Sequence, residues 1–125
     1  MKFLIHDESS DISDDWDNYV NSNTDCGLYH SIKFINFISN YFNYDKHLFY
    51  TTENNKITGI LPMIKANVFP YGKQLVCHPF VGSYNSICAD NHDIKNYMVD
   101  GLTGFIKNTK IKFAELRERH DAFFD

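Results

Sequence analysis

The chain has 125 residues, 43% of them hydrophobic and 16% aromatic, with a net charge of −4. That length gives room for one domain with one modest core, and that composition excludes intrinsic disorder. The acidic balance offers no basic field to draw in nucleic acid by counterion release, so no direct nucleic-acid binding is expected.

Three cysteines, Cys26, Cys77 and Cys88, are scattered without a CxxC spacing. An odd count with no secretory signal reads as free thiols in a reducing, cytoplasmic setting. Residues 1–6 are interrupted too soon by Asp7 and Glu8 to be a signal peptide. No apolar run approaches the roughly 18 residues that span a bilayer, so no membrane span is expected.

In chain order, residues 1–6 read as a short strand that ends in a polar run at 7–11. Ser13 is the expected N-cap of a first helix running to about Ser22, with Asp14, Asp15 and Asp17 in its first turn. Trp16 and Tyr19 or Val20 fall on its buried side. After Gly27, a second helix is expected from Ser31 to about Phe42. Ile32, Ile35, Ile38 and Phe42 form one apolar stripe of it, and Phe34, Phe37 and Tyr41 form another. A helix apolar on two sides needs two covers. The second is expected from a partner domain or from a homodimer partner.

Residues 46–52 have strand propensity, and Glu53-Asn54-Asn55-Lys56 supplies a tight-turn signal before a return strand at 57–67. Pro62 inside that strand predicts an edge position or a nearby bulge. A loop at 69–73 is followed by a short strand at 74–78 and an irregular stretch at 79–89. Asp90 or Asn91 caps a third helix to about Asn108, with Ile94, Tyr97, Met98, Leu102, Phe105 and Ile106 on one face. Gly101 and Gly104 inside it mark close approach to a sheet or a break. Residues 110–117 close with an alternating strand, parallel to the strand at 74–78 through a right-handed crossover. The expected class is α+β, a mixed sheet flanked by helices.

The candidate chemistry is thin. Cys77-His78 invites a thiol-nucleophile reading, but adjacent strand residues point to opposite faces, and a buried core cysteine is the plainer reading. Cys26, His30, Cys77, His78 and Cys88 could supply zinc ligands, yet no paired-ligand spacing was found among them, and no metal site is expected. Glu115 and Arg117 share a strand face, as a structural ion pair or with Arg117 holding an anion at a domain junction. His30 and Lys33 sit at the start of the second helix, where free N–H groups favour an anion; the alternative for both is a solvated surface. Pro79, Phe80, Gly82 and Tyr84 form a loop at the carboxyl end of a strand, which is either a ligand position or a packing loop.

The element order β–α–α–β–β–β–α–β is that of a GNAT acyltransferase domain up to its fifth strand. Several phrases resemble FemAB-related proteins: Trp16-Asp17-Asn18-Tyr19-Val20, Leu28-Tyr29-His30-Ser31, Ile57-Thr58-Gly59-Ile60-Leu61-Pro62-Met63, His78-Pro79-Phe80 and Ala114-Glu115-Leu116-Arg117. The Gln/Arg-x-x-Gly-x-Gly/Ala loop that cradles the pyrophosphate of acyl-CoA is replaced here by Cys77-His78-Pro79-Phe80-Val81-Gly82-Ser83-Tyr84. The first domain of FemAB-like proteins is likewise degenerate.

The resemblance therefore implies the first, incomplete half of a tandem GNAT-like protein. Its activity would be transfer of an acyl or aminoacyl group to an amine of a cell-envelope (peptidoglycan or polysaccharide) precursor in a bacterial cell. No cofactor is expected in this chain; acyl-CoA or aminoacyl-tRNA would be the donor for the whole protein. A small-molecule or nucleotide-linked envelope precursor would be the partner, with His30, Lys33, Phe80, Tyr84 and Arg117 as candidate substrate contacts. The alternative is a non-catalytic GNAT-like binding or assembly module.

Overall fold

The computed structural model describes residues 1–6, 12–23, 26–27, 30–68, 72–76 and 87–115. The elements run β1 (Lys2–Ile5), α1 (Ser13–Ser22), α2 (Ile32–Phe42), β2 (Asp45–Glu53), β3 (Lys56–Val68), β4 (Gly72–Val76), β5 (Cys88–Ala89), α3 (His92–Lys107) and β6 (Phe113–Glu115). One mixed sheet has the strand order β1-β2-β3-β4-β6, with β5 on the side of β3. All its pairs are antiparallel except β4 with β6, where Gln74, Leu75 and Val76 face Phe113, Ala114 and Glu115 in parallel. Among the described residues no helix is long and apolar enough to cross a membrane.

Local chemistry accounts for most boundaries. Asn54 and Asn55 both take positive φ, 54° and 64°. That is the type I′ geometry whose twist matches a two-residue hairpin, and it fixes the register of β2 on β3. Ser31 caps α2, its Oγ accepting from the Phe34 N–H at 3.2 Å. Asn91 caps α3 likewise, through the Ile94 N–H at 2.9 Å. Asn43, at φ 57°, closes α2 in the left-handed conformation, its N–H bonded to the Ser39 carbonyl.

The sheet separates two cores. Phe49, Leu61, Met63 and Leu75 pack with Ile94, Met98 and Leu102 of α3 on one side. Leu48, Ile60 and Cys88 pack with Trp16 and Tyr19 of α1 and Ile32 and Ile35 of α2 on the other. Odd-numbered Phe49, Leu61 and Met63 and even-numbered Leu48 and Ile60 thus go to opposite cores, as the two-residue period of a strand requires.

Several expectations are corrected. Ser13 is the first residue inside α1; Ile12 occupies the N-cap position, with no side-chain cap bond. Pro62 lies on a central strand rather than an edge. It is paired with Leu48 on the β2 side. On its other side, among the described residues, the β5 ladder ends at Ile60 and the β4 ladder begins at Ile64. No strand pair there asks for the N–H that proline lacks.

The bulge falls instead at Thr58, the extra residue between the pairs Thr51↔Gly59 and Thr52↔Ile57. Residues 88–89, expected as irregular, form β5. Phe42 leaves the buried stripe: Ile32, Ile35 and Ile38 are buried, while Phe42 is exposed, stacked on Tyr44. Phe37 and Tyr41 are 57% and 72% exposed, so α1 does not cover that side.

Of the two helical glycines, Gly101 meets β1: a Cβ there would lie 2.5 Å from the Phe3 ring. Gly104 has open space around it, and α3 runs unbroken past both. Gly59 is the tighter case. A Cβ would meet Met98 Sδ at 2.7 Å, Thr51 Oγ1 at 2.9 Å and the Cys88 carbonyl at 3.3 Å. Gly59→Ala is expected to lower unfolding free energy by about 2 kcal/mol, the scale of core overpacking. Urea denaturation would read this as a lower midpoint; an unchanged midpoint would mean the layers part freely.

Candidate functional site

The site grows from the Thr58 bulge. A bulged residue drops out of the ladder, which frees its polar groups for other partners. The Thr58 carbonyl accepts the Asp90 N–H at 2.9 Å and faces the Tyr19 hydroxyl at 3.1 Å. Thr58 Oγ1 lies 3.0 Å from Thr51 Oγ1. The Tyr19 oxygen is also 3.0 Å from Asp90 Oδ1 and accepts from Asn23 Nδ2 at 3.1 Å. Tyr19 has one proton for two acceptors, so the Thr58 carbonyl and the Asp90 carboxylate share it. Burial above all, with Asp90 beside it, drives the phenol far above the ordinary tyrosine range and outweighs the Asn23 bond. Tyr19 is therefore a fixed donor at physiological pH.

One turn earlier on the same face, the fully buried Trp16 donates from Nε1 to the His30 carbonyl at 2.7 Å. This bond pins the connection between α1 and α2 and turns His30 inward, where it is 4% exposed. Its Nδ1 accepts the Gly27 N–H at 3.0 Å, and its Nε2 lies 3.3 Å from Cys88 Sγ. A backbone N–H can only donate, so a neutral ring in this position carries its proton on Nε2, aimed at the sulfur. In that tautomer His30 supports a Cys88 sulfur but cannot take its proton, and a thiol–imidazole nucleophile does not result. Cys26 completes the group: one nitrogen and two sulfurs, all within 4.8 Å of one another.

A second feature lies at the other end of β2. A cleft of about 490 Å³ is lined by His6, His47, Lys65, Asp45, Ser39 and Tyr44, among others. His6 Nδ1 and His47 Nε2 are buried without a hydrogen-bond partner among the described residues. The His47 ring stacks on Phe49 and tilts against Phe105.

The residues singled out from sequence do not assemble into one site. His30 is buried, so it is not the solvated residue of the surface reading, whereas Lys33 is exposed. At the start of α2, two of the N–H groups already have side-chain acceptors. Asp17 Oδ1 takes that of Ile32 at 3.2 Å and Ser31 Oγ takes that of Phe34. A carboxylate in that place also repels an incoming anion. Phe80, Tyr84 and Arg117 lie outside the described residues, as do Cys77, His78, Pro79 and Gly82 and the side chain of Glu115.

Tyr19, Thr58 and Asp90 are what sequence reasoning missed, whereas Cys26, His30 and Cys88 are three of the five residues it weighed as zinc ligands and set aside. The reading that none of the five has paired-ligand spacing is corrected for one pair: three residues separate Cys26 from His30, a ligand-like spacing. Compared with known proteins, the chain matches no protein-family model, and no curated protein matches it significantly.

The cleft yields a pH prediction. Burial first, then Lys65, with Asp45 opposing, holds the His47 imidazole below its ordinary value of 6.5. A ring kept neutral in the fold gains its proton on unfolding, so its contribution is fully present above pH 6.5 and is lost as pH falls below it. The denaturation midpoint should drop between about pH 7.5 and pH 5.5, and drop less in His47→Phe, which keeps the ring stacking. Equal drops in both proteins would assign the acid sensitivity to other groups.

Proposed function

We propose that this chain is a GNAT-like domain of a FemAB-type transferase, which moves an acyl or aminoacyl group onto an amine of a cell-envelope precursor. The observation that carries the reading is the β4–β6 pair. It is parallel within an otherwise antiparallel sheet, with α3 in the crossover between its strands. That arrangement is what the element order of a GNAT domain calls for. The five FemAB-like phrases support the finer assignment. The absence of a Gln/Arg-x-x-Gly-x-Gly/Ala sequence at residues 77–84 supports a role other than holding acyl-CoA.

Chemistry of this kind needs positioning and backbone dipoles rather than a covalent enzyme nucleophile. The locked His30 tautomer is compatible with that. The expected result for the chain alone is no acyltransferase activity and a dissociation constant for acetyl-CoA no tighter than about 1 mM by calorimetry. Joined to a second GNAT-like domain, the chain should transfer label from acyl-CoA or aminoacyl-tRNA to a nucleotide-linked envelope precursor. Micromolar acetyl-CoA binding by the chain, or no transfer from either donor by the two-domain protein, would sink the reading.

A second reading, an assembly module, is favoured by the bare side of α2. Phe37 and Tyr41 stack on each other there, Tyr41 meets Phe42 edge-on, and Phe42 stacks on Tyr44. Covering one Phe stabilises by roughly 1.5–3 kcal/mol. The occupant expected on this face is a second copy of the chain, related by a two-fold axis. Light scattering at micromolar concentration should give the dimer mass, and Phe37→Ser with Tyr41→Ser should return the monomer. A monodisperse monomer before substitution would remove this reading.

A further inference from the structure

We propose that Cys26, His30 and Cys88 form a binding site for a zinc ion. Three donors of the types zinc prefers, two sulfurs and an imidazole nitrogen, lie within 4.8 Å of one another. Bond lengths to tetrahedral zinc place such donors about 3.5–3.8 Å apart. The Cys88 Sγ and His30 Nε2 separation of 3.3 Å is already close to that spacing. The widest separation in the group needs to close by only about 1 Å. Soft thiolates select zinc over magnesium or calcium, which take hard oxygen ligands.

Charge argues the same way. Cys88 is 1% exposed and His30 4% exposed, so an isolated thiolate or imidazolium there would be costly. Two thiolates with one divalent zinc and a neutral imidazole sum to zero, which removes that cost. The half-exposed Cys26 provides the way in. Water or a further ligand fills the fourth coordination position.

One hydrogen bond opposes the site. With zinc on Nε2, the ring proton moves to Nδ1, and the Gly27 N–H can no longer bond there. Gly27 is exposed, with nothing within 4 Å of where a Cβ would stand, so the turn has room to swing away. A single peptide hydrogen bond is a small loss against three coordinate bonds.

The position suits a structural ion. β5 has two residues and pairs only with Gly59 and Ile60 among the described residues. Among the described residues, the connection holding Cys26 and His30 is fastened in part through Trp16 and short-range bonds. Zinc would tie the two together, on grounds that do not depend on the transferase reading.

The test is titration of the reduced, metal-free chain with Co²⁺, followed by displacement with Zn²⁺. Expected are one equivalent, a thiolate-to-cobalt charge-transfer band, and a Zn²⁺ dissociation constant tighter than about 1 μM. Cys26→Ser and Cys88→Ser should each weaken Zn²⁺ binding by at least about 100-fold, more than loss of a supporting contact would. The unsubstituted chain gives a second readout that does not depend on Cys88→Ser folding: Zn²⁺ should slow alkylation of Cys26, mapped by mass spectrometry. The proposal is overturned by the absence of a one-to-one complex or by affinity unchanged in both variants. Protection of Cys77 instead of Cys26, or a Cys26–Cys88 disulfide forming in a chain with no zinc affinity, overturns it equally.

Discussion

Everything in this molecule is arranged around a strand that must serve two cores. β3 sends Leu61 and Met63 toward α3 and Ile60 toward α1 and α2, so it has no face to spare for water. A slip of one residue against β2 would exchange the two sets and ruin both cores. The register is therefore held at the turn, where only residues tolerant of positive φ fit, and Asn54 and Asn55 supply them. The same demand explains Gly59. With Met98, Thr51 and the Cys88 carbonyl converging on one backbone position, there is no volume for a side chain.

The bulge beside Gly59 turns this packing requirement into a site. An extra residue in β3 leaves the Thr58 carbonyl free to accept from Asp90 and Tyr19. Asp90 precedes the cap of α3, and Tyr19 belongs to α1, so one carbonyl links both helical layers through the sheet. Each such bond contributes on the order of 1 kcal/mol net, but leaving the buried partners unmatched would cost more. The burial of Trp16 then brings His30 inward, and His30 meets Cys88 on the strand that the bulge has helped to place.

This sequence of dependencies explains what could be read from residues alone. The hairpin, the Asn91 cap and the three helices follow from signals within a few positions of each other, and the parallel closing strand follows from the crossover rule applied to a strand–helix–strand order. The Thr58 bulge, the two-residue β5 and the central placing of Pro62 depend on which strands lie alongside, and no local pattern encodes that. Ile12 in place of Ser13 at the N-cap is a smaller miss, one residue at a helix end, where boundaries are soft. The site was harder still. Tyr19 and Asp90 are 71 positions apart and His30 and Cys88 are 58 apart, so only the Cys26–His30 spacing was there to be noticed. A helix start advertises free N–H groups in sequence, whereas the contact of Asp17 with the Ile32 N–H exists only in the fold.

The cysteine–histidine grouping also bears on the stretch that looked most like a ligand loop. Residues 77–86 leave from Val76, which is paired in parallel with β6, and the described chain resumes at Ile87. Ile87 is buried in the α3 core, and Cys88 next to it is buried in the opposite core beside His30. One residue step across the sheet thus fixes the far end of the stretch in both cores at once. A side chain that swaps one core for the other at this point cannot move alone, because its neighbour would have to leave the opposite core. The described chain thus ends before residues 77–86 at one anchor, the parallel strand pair, and resumes after them at a second, the Ile87–Cys88 step. An ion or a bond at Cys88 would stiffen the second anchor without touching the first.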